Sequence, residues 1–242
     1  MKLSLVLLTY NEIDGLRTLW DRIPFDAADE AFAVDGGSTD GTLEFYEERG
    51  FRVHEQKSRK GRGEAFRIAF SDARGDALLF YSPDGNEDPS DIARFREPLE
   101  AGADMVIASR MMKGAHNEED GQFLKPRKWA NNAFNFMANV TWNRGRYVTD
   151  TINGFRAITK EAWHTIRPDG PGYTIEYQSS IRAFKSRLKV IEFPTREGAR
   201  IGGESYAHSI PTGLRFVRLY LREVLLGRRF ALPGGRVEDV RA

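Results

Sequence analysis

A chain of 242 residues, 40% hydrophobic and 29% charged, is long enough for a substantial core, as one large domain or one domain with an appended lobe. Its 36 Lys and Arg against 35 Asp and Glu leave a net charge of +1, so bulk electrostatics gives no argument for nucleic acid as a partner. The absence of cysteine excludes disulfides, thiolate metal sites and a cysteine nucleophile, and is compatible with a reducing cytoplasm.

Residues 3–8 are an apolar run that reads as a buried strand, too short for a signal-peptide core or a membrane span. Nowhere do about 18 consecutive apolar residues occur, so the expected protein is soluble or at most bound to a surface. Ile13, Leu16, Leu19, Trp20 and Ile23 follow at helical spacing. Strands at 31–34, 51–54, 77–81 and 105–108 then alternate with helices at 41–49, 65–73 and 92–99. Short strands spaced by helices mean βαβ units and a mostly parallel sheet, whose ligands sit outside the carboxyl ends of the strands. The loops after the first, second and fourth strands are thus expected as neighbours at one edge. Beyond Arg110 the pattern loosens. Residues 113–123, with Gly114 and Gly121, read as a mobile loop, 129–140 and 175–184 as helices, and 188–193 as a strand. Residues 196–205 are glycine-rich and basic, and 214–226 form a last helix.

Four loops carry candidate chemistry. The run Tyr81-Ser82-Pro83-Asp84-Gly85-Asn86-Glu87-Asp88-Pro89 ends the fourth strand. Asp84 and Asn86, two apart, can offer hard oxygen ligands to a divalent cation clamping a diphosphate. The plainer alternative is a turn formed by Pro83 and Gly85 ahead of a helix cap. Thr9-Tyr10-Asn11-Glu12 reads either as a helix start capped by Asn11 or as Tyr10 beside a nucleobase with Glu12 on its edge. Asp35-Gly36-Gly37-Ser38-Thr39-Asp40-Gly41-Thr42 reads either as a glycine turn capped by Thr39 or Asp40, or as Asp35 bonding a base or ribose. Arg59-Lys60-Gly61-Arg62-Gly63-Glu64-Ala65 opens a helix, whose N-terminus with Lys60 suits an anion.

In this order the motifs resemble those of family 2 glycosyltransferases. Asp150-Thr151-Ile152-Asn153-Gly154-Phe155-Arg156, Glu176 and Arg200-Ile201-Gly202-Gly203-Glu204-Ser205 resemble the dolichol-phosphate mannosyltransferase branch, the likeness covering about residues 3–206. The resemblance implies an α/β fold of the GT-A kind, a Rossmann-like, mostly parallel sheet flanked by helices with a C-terminal helical acceptor region. It divides the chain into a nucleotide-sugar half (1–110), an acceptor half of the same domain (111–207) and an amphipathic helix with tail (208–242). It implies a GDP- or UDP-sugar donor and inverting transfer of a hexose, most readily to a polyprenyl phosphate.

Carried over by position, Tyr10, Glu12 and Asp35 hold the nucleoside, with Thr9, Lys60, Ser82 and Pro83 in the donor-binding set. Asp84 and Asn86 match the acid and amide that hold Mg²⁺ or Mn²⁺. Arg110, Arg127 and Arg200 match basic residues facing the donor diphosphate and an acceptor phosphate, and Asp84, Glu176 and Arg200 carry catalysis. The chain departs from the family at one point. The turn usually reads Asp-x-Asp, and its first acid is here Ser82, which puts cation dependence in question.

The acceptor sets the need for a base. A sugar hydroxyl, as in polysaccharide or glycolipid assembly, needs a carboxylate, for which Glu176 is the candidate. A phosphate monoester is already ionised and needs cations, which Arg127 and Arg200 can supply through bidentate contacts; Arg196 reads as part of a solvated face. A sugar-1-phosphate nucleotidyltransferase would show a glycine-rich loop after the first strand, where this chain has Thr9-Tyr10-Asn11-Glu12. For a non-catalytic nucleotide-sugar sensor, Ser82 is the only hint. Leu214, Val217, Leu221, Val224 and Leu225 form a stripe beside Arg215, Arg218, Arg222, Arg228 and Arg229. That helix suits either the cytoplasmic face of an anionic bilayer, beside a lipid-linked acceptor, or packing on the domain or on a second copy in a homodimer. His54, His116, His164 and His208 show no metal-ligand spacing, and Trp129 and Trp142 read as packing residues.

Overall fold

A computed structural model of the chain describes residues 1–57, 59–202 and 209–231. Gly203, Glu204, Ser205, His208 and the tail from 232 onward lie outside the described residues. The strands are β1 (Leu3–Thr9), β2 (Glu30–Asp35), β3 (Val53–Glu55), β4 (Ala77–Tyr81), β5 (Met105–Ser109), β6 (Arg156–Thr159) and β7 (Val190–Pro194). The helices are α1 (Ile13–Leu19), α2 (Thr42–Glu48), α3 (Arg62–Asp72), α4 (Arg96–Glu100), α5 (Pro126–Trp142), α6 (Lys160–Ile166), α7 (Thr174–Ser186) and α8 (Ser209–Leu226).

One sheet runs in the order β3-β2-β1-β4-β6-β5-β7. All pairs are parallel except those of β6, which lies antiparallel between β4 and β5. All seven residues of β1 are buried, as a strand covered on both faces requires. Alternation along the strand sends Leu5 and Leu7 to a core with Leu16, Phe45 and Tyr46, and Val6 and Leu8 to the opposite core with Phe66 and Phe70. The order β2-β1-β4 brings the three motif-bearing loops to one edge.

Some expectations need correcting. The first helix stops at Leu19 and gives way to a 3₁₀ turn at Trp20–Arg22, because Pro24 disfavours helix in the residue before it. Residues 92–99 are not one α-helix: a 3₁₀ segment spans Pro89–Phe95, and Asp88 accepts the Ser90 N–H (3.0 Å) at its start. Ile92 and Phe95 stand three apart, so both stay buried in that tighter winding. β6 was not anticipated, since it is four residues long and carries an arginine. The 113–123 loop is irregular, as expected, and is held at two points. Asn117 Nδ2 donates to Glu197 Oε2 (2.5 Å), and buried Glu119 accepts the Lys128 N–H (2.8 Å), capping α5 from outside. Trp129 is exposed on α5 instead of packing.

The last helix packs through a different face from the one its sequence suggests. Phe216, Leu219 and Glu223 face inward. The stripe Leu214, Val217, Leu221, Val224 and Leu225 stays exposed, from 42% to 82%. Glu223 is held by Arg182 Nε (3.0 Å) and Lys185 Nζ (2.7 Å) of α7, so a buried ionic knot fastens α8 to the domain. Among the described residues no helix is long and apolar enough to cross a membrane.

Candidate active site

A cleft of about 1030 Å³ opens beyond the carboxyl ends of β1, β2 and β4. Thr9, Tyr10, Glu12, Lys60, Ser82, Asp84, Asn86, Arg110, Arg127, Glu176 and Arg200 all line it. Asp35 and Pro83 do not. Asp35 is fully buried, and its carboxylate accepts from Thr9 Oγ1 (2.8 Å), the Gly37 N–H (2.8 Å), and the N–H and hydroxyl of Ser38 (both 2.7 Å). Here its oxygens shape the loop after β2 instead of lining the cleft.

Two loops are sewn together at the β1–β2 end. Asn11 does not cap α1; its Oδ1 accepts the Thr39 N–H (2.9 Å), while Asp40 Oδ2 accepts the Ile13 N–H (3.1 Å) and so caps α1 from the neighbouring loop. Asp40 Oδ1 also accepts the Thr42 N–H (3.0 Å) at the start of α2. Gly37 has φ 89°, a backbone conformation that favours glycine, and Lys60 Nζ lies over it, 2.4 Å from where a Cβ would stand. Tyr10, 41% exposed, stands beside it.

The turn after β4 is the centre of the cleft. Asp84 Oδ1 accepts the Asn86 N–H (3.0 Å), and Asp84 Oδ2 accepts from Arg200 Nη1 (2.7 Å). Arg200 Nη2 also donates to Glu12 Oε1, so one guanidinium bridges the acids of two loops. The segment bearing Arg200 is docked on the turn by the Gly198 N–H to the Asn86 carbonyl (3.0 Å) and the Ile201 N–H to the Asp84 carbonyl (2.7 Å).

Arg62, the first residue of α3, donates through Nη1 to Ser82 Oγ (3.1 Å) and through Nε to Glu176 Oε1. Glu176 sits in the first turn of α7 at 2% exposure, and its Oε2 is buried with no partner among the described residues. Arg110 is neutralised by Asp150 (Nε, 2.8 Å) and Glu197 (Nη1, 3.0 Å). Arg127, on α5, pairs with Glu118.

No role was expected of Arg62 and Glu87, which line the cleft, or of Arg156; all three lie inside the candidate runs, where their charge was the available signal. Arg156 is fully buried among the carbonyls of Asn153 (2.6 Å), Thr151 (3.1 Å) and Glu176 (2.8 Å), where burial drops its pKa to about 10 against the pull of Glu176.

Burial makes the cleft's acids harder to ionise. It lifts Glu12 to about 7, against the pull of Arg200 and with reinforcement from Asp84. Glu87, whose Oε2 accepts the Ser82 N–H (2.6 Å), rises to about 8, burial outweighing Arg62. Asp84 and Glu176 are also raised by burial, against Arg200 and Arg62 respectively. Because Glu87 ionises less readily folded than unfolded, its contribution to stability is fully present below the ordinary carboxyl value of 4.5. It is lost as pH rises to about 8. Glu87→Gln is therefore expected to raise Tm over wild type at about pH 8.5 by on the order of a few degrees, with the gap closing near pH 4.5. Thermal melts at both pH values check this, and an equal gap at each would contradict it.

Among the described residues, no group of three or more His, Asp or Glu side chains is placed to hold a metal ion. At the two positions matching the family's ligands the turn offers the Asp84 carboxylate and the amide oxygen of Asn86, whose Nδ2 is committed to the Gly198 carbonyl (2.8 Å), while the Glu87 carboxylate is taken by the Ser82 N–H (2.6 Å). That set does not cage an ion by itself. It fits a Mg²⁺-like ion whose remaining ligands are substrate phosphates and water.

The sheet order and the cleft at its carboxyl edge define a GT-A fold. Glucosyl-3-phosphoglycerate synthase from Mycobacterium tuberculosis, solved with Mn²⁺, UDP-glucose and phosphoglyceric acid, shares it at TM-score 0.70 and 23% identity, over 97% of this chain and 81% of that one. Residues 4–161 match the model of glycosyl transferase family 2, and the chain belongs to that family: it is a glycosyltransferase. Glycosyltransferase AglJ of Haloferax volcanii is 32% identical over 228 residues, 88% of this chain and 69% of that protein. Dolichol-phosphate mannosyltransferase of Pyrococcus furiosus is 29% identical over 212 residues, 85% of this chain but only 59% of that protein.

Proposed function

We propose that this glycosyltransferase moves a hexose, with inversion, from a GDP- or UDP-sugar to a polyprenyl phosphate. The observation that carries the acceptor half is where the cleft leads. Its lining extends from Tyr10 and Lys60 through Asp84 to Arg127 and Phe134 of α5 and Arg215 and Phe216 of α8. On the same two helices α5 exposes Trp129, Phe136 and Val140, and α8 exposes its leucine–valine stripe among arginines. An apolar face with basic residues suits the surface of an anionic membrane, and so a lipid-linked acceptor presented at the cytoplasmic face. The likeness to a dolichol-phosphate mannosyltransferase supports the same reading.

In this reading Tyr10, Glu12 and Thr9 receive the nucleoside, with Asp35 fixing their loop, while Lys60, Arg200 and the backbone at Ser82 and Pro83 border the diphosphate. Asp84 and Asn86 hold a divalent cation, which when bound adds positive charge at the leaving diphosphate. Arg110 braces the loop before α5 through Asp150 and Glu197, and Arg127 of α5 meets the acceptor phosphate. An acceptor phosphate oxygen bonds to the anomeric carbon on the face opposite the departing diphosphate, whose C–O bond breaks and whose new charge the arginines stabilise. No proton leaves the acceptor, so no base is required.

The unpartnered Oε2 of Glu176 favours one other reading, a sugar hydroxyl acceptor deprotonated by that carboxylate. Labelled GDP-mannose and UDP-glucose, presented with polyprenyl phosphate in vesicles, separate the two. Label is expected in an inverted glycosyl phospholipid, and Glu176→Gln is expected to keep transfer to within about tenfold, the loss expected from positioning alone. Transfer only to sugar hydroxyls, abolished in Glu176→Gln, would overturn the lipid-phosphate reading.

A further inference from the structure

The position where the family's turn carries its first acid is here joined to a guanidinium. Arg62 Nη1 donates to the hydroxyl of Ser82 (3.1 Å), and its Nε is anchored on Glu176. A Cβ on Gly154 would come within 1.9 Å of Arg62 Nη2, so the guanidinium lies directly against Gly154. Arg200 stands on the other side, on Asp84. Arg62 also begins α3, whose first N–H groups have no intrahelical acceptor and whose dipole favours an anion.

The charge balance explains why the pair belongs together. Glu12, Asp84, Glu87 and Glu176 already face Lys60, Arg62 and Arg200 in this cleft. Glu176 already pairs with Arg62, so an aspartate at 82 would add a second carboxylate and make the group net negative, leaving a bound cation to offset the diphosphate. Serine is neutral and accepts a hydrogen bond, so it orients the guanidinium without adding that second counter-charge.

We propose that Arg62 contacts the donor diphosphate and, with Ser82, supplies charge compensation otherwise left to a divalent cation, so that donor binding depends only weakly on Mg²⁺ or Mn²⁺. The proposal rests on the donor reading of the cleft. Calorimetric titration of UDP and GDP, each in excess EDTA and in Mn²⁺, tests it. For the wild-type chain the better-bound diphosphate is expected to differ by less than about tenfold between the two conditions. Arg62→Leu is expected to weaken binding in EDTA by about 30-fold, with Mn²⁺ restoring most of it. Since Arg62→Leu strands the Glu176 carboxylate, Arg62→Leu/Glu176→Gln provides a variant with no unpaired charge, for which the same loss is expected. Ser82→Asp, which keeps both, is expected to become cation-dependent. Wild-type binding that needs Mn²⁺, or an Arg62→Leu variant that binds in EDTA as wild type does, would overturn the proposal while leaving the donor reading intact. Failure of both diphosphates to bind under either condition would remove the donor reading and this proposal with it.

Discussion

Asp84→Ala is expected to lower transfer by about two to three orders of magnitude, the usual cost of removing one preorganised charge at a reacting centre, while the fold survives. Two losses combine. In the proposed reading the carboxylate is the turn's acid that ligates a cation, and its Oδ2 also holds Arg200 (2.7 Å). Without it, on that reading, Arg200 keeps Glu12 alone, and the diphosphate loses both a cation ligand and a positioned guanidinium. Little packing is lost, because the side chain is short, polar and 16% exposed. The backbone bonds from Gly198 and Ile201 still hold the turn. Steady-state transfer and a thermal melt of the same preparation check the two halves. Asp84→Asn separates charge from shape: it can still accept the Asn86 N–H, so a loss equal to that of alanine assigns the effect to charge. Near-normal turnover in either variant would contradict the role given to Asp84.

The largest expected effect on stability lies elsewhere. Glu223→Ala should cost about 3–5 kcal/mol, because it leaves Lys185 buried without a counter-ion and Arg182 with only its outer one. Both cations point at the same carboxylate, with side-chain exposures of 1% and 2% against 0% for Glu223. Arg182 keeps Asp169 (2.7 Å), which is half exposed and replaces little of what is lost. For a chain of this size such a loss moves Tm by on the order of 10 °C, readable in denaturant and thermal unfolding. Glu223 is itself held below the ordinary carboxyl range, burial opposing ionisation but Arg182 and Lys185 overcoming it. Its contribution is therefore present above the unfolded value and fades as pH falls through the folded one, so the wild-type–variant gap should narrow in acid. Replacing Arg182, Lys185 and Glu223 together by methionine and leucine is expected to recover most of the stability, since no unpaired charge then remains. A Glu223→Ala chain as stable as wild type would show that α8 is fastened by its apolar contacts alone.

Both effects bear on how much of this protein was legible in its residues. The first half was readable because parallel strands buried on both faces give apolar runs such as 3–8 and 77–81, and the turns between them carry their own chemistry. β6 was not, since Arg156 in a four-residue strand breaks the apolar signal; its charge is absorbed by carbonyls supplied from 151, 153 and 176. The turn motifs pointed to one edge, and the structure brings eleven of the thirteen named side chains to one cleft. What they could not show was pairing. Asp35 turns inward because Thr9 and Ser38 supply donors behind the cleft, and Arg62 meets Glu176 across 114 residues of sequence. The apolar stripe of α8 was visible, but not its direction. The buried face carries Phe216, Leu219 and Glu223, and the partners of Glu223 lie on another helix.

The central claim is that the donor's diphosphate lies between Asp84, Arg200 and Arg62. A crystal structure of the chain with a bound nucleotide-diphosphate sugar measures this directly. The account predicts phosphate oxygens within hydrogen-bonding reach of Arg62 or Arg200, with Asp84 beside them, directly or through a cation. A diphosphate seated elsewhere, with Arg200 still bridging Glu12 and Asp84, would contradict it.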